Sequence, residues 1–358
     1  MKNLAKNYLS LLCIALILMM VACKSNDPSP AVTPPPTPPP VLPITAFIPD
    51  GWKALEPFAG GVRNAAVAVN IGDKIYVGLG YSSTSGNSQV SNDWYEYDPA
   101  TDKWTSKSNF PGTSRASAVA FVINGKAYVG LGTNYDRVSK SDLYTDFYEY
   151  NPATNLWVKK ADFSGTPRDQ SVCFAIGEKG YLGTGNIDAF QANNTKEFYE
   201  YNATKDVWTK KADFLGSARC RSFGFSMNGK GYIGGGEDND ITKQSDFYEY
   251  DADTDKWLKK ASLPSATARA RGFSFNNLGY AVGGLVQNQN ANLNDIYKYN
   301  PTDNTWATVS EIAAEKSTAK GRFYPITIST KTKIYIGLGG RNAEATTNLK
   351  DFYELILK

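Results

Sequence analysis

An all-β fold built from six similar repeats is what the sequence predicts, and three observations carry it. Six of the tryptophans, Trp52, Trp104, Trp157, Trp208, Trp257 and Trp306, follow one another at intervals of 52, 53, 51, 49 and 49 residues, and a fixed period near 50 marks a repeat architecture. Each period holds a β-branched or aromatic run ending in glycines: IYVGLG (75–80), AYVGLG (127–132), GYLGTG (180–185), GYIGGG (231–236), GYAVGG (279–284) and IYIGLGG (334–340). Ten to fourteen residues later an acid introduces a second aromatic run: DWYEYDP (93–99), DFYEYNP (146–152), EFYEYNA (197–203), DFYEYDA (246–252), DIYKYNP (295–301) and DFYELIL (351–357). The composition agrees. Of 358 residues 42% are hydrophobic and 13% aromatic, enough to bury a large core, and the chain does not have the makeup of one disordered throughout.

Taken in chain order, residues 1–22 come first. Lys2 and Lys6 precede an apolar run from Leu9 to Ala22, too short for a comfortable membrane span and suited to a secretory signal. The ending Met20-Val21-Ala22-Cys23 resembles the lipobox of bacterial lipoproteins, which implies lipid attachment at Cys23 and a place in the bacterial cell envelope, facing the periplasm or the cell surface. Residues 23–49 read as a tether. Ten of the eighteen prolines lie there, and proline runs favour an extended, semi-rigid spacer. Residues 50–358 hold the repeats.

The glycine runs, the acid-aromatic runs and the turn of Asp/Asn-Pro-x-Thr type before most of the tryptophans resemble kelch repeats over about 310 residues. The resemblance implies a six-bladed kelch β-propeller. The last unit ends after its third strand without a tryptophan, and Trp52 precedes the first complete inner strand. Residues 52–55 are therefore expected to complete the C-terminal blade and close the ring. Outside the signal and the proposed lipid site only Cys173 and Cys220 remain. The repeat alignment offsets them by roughly 13 Å along their strands, too far for a disulfide, so both are expected to be free and buried.

Each inner strand is expected to begin with an arginine: Arg63, Arg115, Arg168, Arg219, Arg269 and Arg322. The alignment places all six around one mouth of the central channel, facing the acids Asp93, Asp146, Glu197, Asp246, Asp295 and Asp351 in blade-to-blade ion pairs. Repeats four and five add Arg221 and Arg271 two residues on, expected on the same strand face. Arg219, Arg221, Arg269 and Arg271, with Arg168 and Arg322 beside them, thus form the candidate binding face for an anionic ligand, because guanidinium forks match carboxylate or phosphate. Tyr81, Tyr135, Phe190 and Tyr324 lie in loops or near that mouth, where apolar faces can stack on sugars. Glu237-Asp238-Asn239-Asp240 clusters carboxylates but lacks EF-hand spacing, so no metal is assigned.

The chain contains no histidine. That excludes Ser-His-Asp hydrolases, Cys-His nucleophiles and His-ligated copper, iron or catalytic zinc, and with them the copper site of the galactose oxidase-type enzymes that share kelch blades. The net charge of +3 is too small to point to nucleic acid. No cofactor is expected, and the propeller reads as a monomer. A weaker resemblance, in PRDQ (167–170) and in Glu237 following its glycine run, is to the sialic acid mutarotases (N-acetylneuraminate epimerases). It implies proton transfer by Glu237, with Lys243, where that family has arginine, or Arg219 holding the sugar carboxylate. The reading favoured by the residues is a tethered, non-catalytic module binding a protein or glycan through its arginine-lined face. A mutarotase-type isomerase and a structural subunit of an envelope assembly are the alternatives.

Overall fold

Six four-stranded antiparallel sheets follow one another along the chain. The computed structural model describes residues 51–84, 87–134, 142–188, 193–286, 295–311, 321–340 and 348–356. The expectations for residues 1–49, Cys23 among them, and for Tyr135 and Phe190 fall outside that set. From the inside outward, blade one is Val67–Ile71, Lys74–Gly78, Trp94–Asp98 and Lys103–Ser106; blade two is Val119–Ile123, Lys126–Gly130, Phe147–Asn151 and Leu156–Lys160. Blade three is Val172–Ile176, Lys179–Gly183, Phe198–Asn202 and Val207–Lys211; blade four is Phe223–Met227, Lys230–Gly234, Phe247–Asp251 and Lys256–Lys260. Blade five is Arg271–Phe275, Leu278–Val282, Asp295–Asn300 and Thr305–Glu311. Blade six takes Ile326–Ser329, Ile334–Gly337 and Phe352–Ile356, and its outer strand is Gly51–Ala54 from the other end of the sequence. Each inner strand packs against the next, and that of blade six against that of blade one, so the ring is closed.

The period that announces the fold has a physical cause. Five of the six repeating tryptophans donate their indole N–H to a backbone carbonyl of the preceding blade's edge: Trp104 to Glu56 (2.9 Å), Trp157 to Ser108 (2.8 Å), Trp208 to Ala161 (3.3 Å), Trp257 to Ala212 (3.1 Å) and Trp306 to Ala261 (3.0 Å). The turn residue two places earlier does the same work from the acceptor side. Asn155, for example, accepts from the Ser108 amide (3.0 Å) and from the Tyr150 hydroxyl (2.9 Å). Side-chain sizes are matched between blades as well. Phe121, Phe174 and Phe225 lie against Gly180, Gly231 and Gly279 of the following blade, where an added Cβ would meet the ring at 2.2–2.4 Å. Where blade one offers only Val69, blade two has room for Ala127 in the same cluster.

The closing strand pairs as the sequence predicts, Gly51 to Ala54 against Ile356 to Tyr353. Leu55 and Phe58 then bury against the seam, their amides donating to Phe352 and Lys350. Deleting Gly51–Leu55 should lower stability by about 3–6 kcal/mol, since Trp52 and Leu55 lose their burial and a hydrophobic edge is exposed. A urea titration followed by tryptophan fluorescence checks this; an unchanged midpoint would contradict the closure.

Candidate functional site

Two concentric sets of residues build one end of the channel. The outer set joins the blades. Gly80, Gly132, Gly185, Gly236, Gly284 and Gly339 donate their amides to the carbonyls of Arg115, Arg168, Arg219, Thr267, Arg322 and Arg63 respectively, each on the following blade. The approach is close enough to need glycine: at Gly132 (φ +92°) an added Cβ would lie 2.6 Å from the Ala116 carbonyl oxygen.

Five of these residues are arginines with almost no exposure, and their guanidinium groups turn into their own blades. Arg63 pairs with Asp93 (2.8 Å), Arg115 with Asp146 (2.5 Å), Arg168 with Glu197 (2.7 Å), Arg219 with Asp246, and Arg322 with Asp351 (2.9 Å). Each also donates to the carbonyl sixteen residues further on: Leu79, Leu131, Thr184, Gly235 and Leu338. The pairs therefore lie within blades and not between them, as the alignment had placed them. Arg168, Arg219 and Arg322 are consumed as internal struts and do not line the mouth. In blade five the equivalent residue, sixteen before Gly283, is Thr267, so Arg269 stands two positions off the place the sequence alignment assigns it.

Arg269 belongs to the inner set. Ala65, Ser117, Gln170, Arg221, Arg269 and Tyr324 occupy one position in the six blades and all adopt a left-handed backbone, φ 49–64°. The amides of Ser117, Gln170, Arg221, Arg269 and Tyr324 each donate to the carbonyl of the member before, a chain of bonds running round the mouth. Six non-glycine residues in this conformation are strained, and the strain persists because the surrounding ring imposes it. The turn also breaks strand alternation. Arg219 and Arg221 do not share a face: Arg219 enters its blade, whereas Arg221 reaches Gln170 Oε1 (2.7 Å) and Glu237 Oε2 (2.9 Å).

Glu237 is 5% exposed. The short strand Glu237–Asp238 pairs with Arg219–Cys220, and a single bridge sets Lys243 across from Glu237 on its other side. The structure thus brings together Glu237, Lys243 and Arg221, and leaves Arg219 out. Asp238 does not join Glu237 in a cation site, because its carboxylate accepts from the amides of Asp240 and Thr242 and from Gln244. Among the described residues no three acids or cysteines converge as metal ligands.

Across the mouth, Arg269 and Arg271 both approach Tyr324, their guanidinium carbons 5.7 and 5.0 Å from its ring centre. Among the described residues neither is ion-paired, so the local positive excess expected in repeats four and five is present as Arg269 and Arg271, with Arg221 balanced by Glu237. Beneath lies a cavity of about 150 Å³ lined by small inner-strand side chains such as Ala68, Ala120 and Cys173. The two thiols are free. Burial pushes Cys220 up to about 12 and Cys173 up to about 11, leaving both protonated near neutrality. Cys220 is buried as expected, whereas Cys173 is only partly so, because it faces the cavity.

Kelch-motif profiles match residues 62–111 and 270–311. The N-acetylneuraminate epimerase of Pasteurella multocida (strain Pm70) is 37% identical over 141 residues, covering 39% of this chain and 34% of that protein. The N-acetylneuraminate epimerase of Escherichia coli (strain K12) is 34% identical over 120 residues, covering 32% of this chain and 30% of its own length. The chain thus spans about a third of the length of these curated relatives. The solved structure of YjhT superposes with a TM-score of 0.71 over 85% of this chain and 97% of the other, at 19% identity, a likeness of fold. The chain is a six-bladed β-propeller carrying kelch motifs.

Proposed function

We propose that the mouth lined by Arg221, Arg269, Arg271, Tyr324 and Glu237 binds an acidic sugar and interconverts its anomers, as an N-acetylneuraminate epimerase does. The observation that carries this reading is the buried Glu237–Arg221 pair set beside two arginines that have no acidic partner among the described residues. The relatives' names support the choice of sugar.

The chemistry asks for little. N-acetylneuraminate carries its carboxylate on the anomeric carbon, so a guanidinium that holds the carboxylate brings the reacting centre close. Ring opening removes the proton of the anomeric hydroxyl, breaks the bond from the anomeric carbon to the ring oxygen and protonates that oxygen; closure on the other face reverses each step. Glu237 takes the hydroxyl proton, and Lys243, whose backbone is bridged to that of Glu237, supplies the other from its ammonium. Binding is the first requirement. In isothermal titration with N-acetylneuraminate, Arg221→Met should bind at least tenfold more weakly than the native protein; equal affinity would remove this mouth from consideration. The non-catalytic alternative keeps the same site and ligand class but gives Glu237 only a structural role.

The proposed address is separate. Export and lipidation at Cys23 rest on residues 1–49 alone. Radiolabelled palmitate should enter the native protein and not Cys23→Ala; labelling of neither would contradict the tether.

A further inference from the structure

Arg271 stands where every other blade carries an apolar side chain. It opens the inner strand of blade five, and its counterparts Val67, Val119, Val172, Phe223 and Ile326 are all buried. Those side chains lean over the following blade: Phe223 lies 2.8 Å from the place of a Cβ on Gly272, and Val172 2.2 Å from that on Gly224. Arg271 leans likewise toward blade six and rests on Tyr324. Its only hydrogen bond among the described residues is a long one, 3.4 Å, to the Ala270 carbonyl. A half-buried guanidinium that has no acidic partner among the described residues is costly, and desolvation accordingly lowers its affinity for the proton.

The guanidinium borders two spaces that share Ser171 and Ser222 as walls. One is a neck of about 20 Å³ between Ser117, Gln170, Arg221 and Tyr324; the other is the cavity of about 150 Å³. A water-sized group needs about 10–15 Å³ of such space, so the neck admits one at a time while the cavity accommodates a small organic acid. The hydroxyl of Ser117, in a residue only 5% exposed, has no hydrogen-bond partner among the described residues.

We infer that the channel beneath the mouth is a monocarboxylate pocket, in which the Arg271 fork, stacked on Tyr324, grips the anion and Ser117 donates to it. Monovalence follows from the lining of the neck: among the described residues Arg221 is matched by Glu237, Arg269 does not line the neck, and Arg271 is the charge that remains. The occupant is either a free small acid or the carboxylate of a sugar seated in the mouth, and the second source rests on the function proposed above.

Formate serves as the probe, titrated in a thermal melt at constant ionic strength against sodium chloride, whose anion carries the same charge but cannot accept the two parallel N–H bonds of the fork. The native protein should show a saturable rise in melting temperature, Arg271→Met none, and Arg271→Lys a response at least tenfold weaker, since lysine keeps the charge and loses the fork. Formate acting no better than chloride, or stabilising Arg271→Met as it does the native protein, would overturn the pocket. N-acetylneuraminate and its methyl ester separate the sources. Competition with formate by the acid and not by the ester places the sugar's carboxylate on Arg271. If formate binds and neither sugar competes, the pocket serves free small acids and the acidic-sugar reading fails. If the acid binds native protein and Arg271→Met equally, Arg271 is not its carboxylate site.

Discussion

Arg115→Ala should destabilise the propeller by about 3 kcal/mol, the lower end of what breaking a buried ion pair costs. Arg115 has no exposure and pairs with Asp146, which retains 22%; water therefore relieves part of the orphaned carboxylate. The larger loss comes from what else the guanidinium does. It lies over the rings of Phe110 and Tyr144, 4.9 and 4.1 Å from their centres, and it donates to the carbonyls of Thr113 and Leu131. Alanine leaves those carbonyls without a donor and a gap between the rings. Chemical denaturation measures the change, and a loss below about 0.5 kcal/mol would mean that the struts are ornamental. The same pairs predict acid sensitivity. Burial disfavours the Glu197 carboxylate, but Lys210 and Arg168 hold its pKa below the ordinary value. A depressed folded-state pKa gives stability that is present above about pH 4.3 and lost as the pH falls through the folded value.

Glu237→Gln should slow anomer interconversion by about 10²–10⁴-fold, the range typical of removing a positioned general base. The amide keeps the size and one acceptor oxygen for Arg221 but removes its counter-charge, so the melting temperature should fall, and the rates are compared at a temperature where circular dichroism shows both proteins folded. Polarimetry after dissolving a single anomer reads the rate. A variant as fast as the native protein would assign Glu237 to the architecture and favour the binding-only reading.

Most of the fold was legible because its signals are anchors. The tryptophans recur because the indoles of five of the six fasten a blade to the one before, and the glycines because a neighbouring phenylalanine or carbonyl occupies the place of a Cβ. The site was legible only in part. Glu237 and Arg221 could be singled out, but their meeting depends on the left-handed turn at Arg221, which an arginine, unlike a glycine, does not advertise. The arginine ring misled for a related reason. Five arginines stand seventeen residues before the glycine that joins the blades (Gly80, Gly132, Gly185, Gly236 and Gly339), and counting back seventeen residues from Gly284 finds Thr267 and frees Arg269 for the mouth. Nothing in the text around Arg271 marks its position as one that is otherwise apolar; only the register of the six inner strands reveals it.

The central claim, that this mouth opens and closes an acidic sugar ring, is tested most directly by exchange NMR on N-acetylneuraminate at anomeric equilibrium. The account predicts cross-peaks between the two anomers whose rate rises in proportion to native protein and falls to the buffer value with Glu237→Gln. An exchange rate equal to that of buffer alone, at protein concentrations that saturate the sugar, would contradict it.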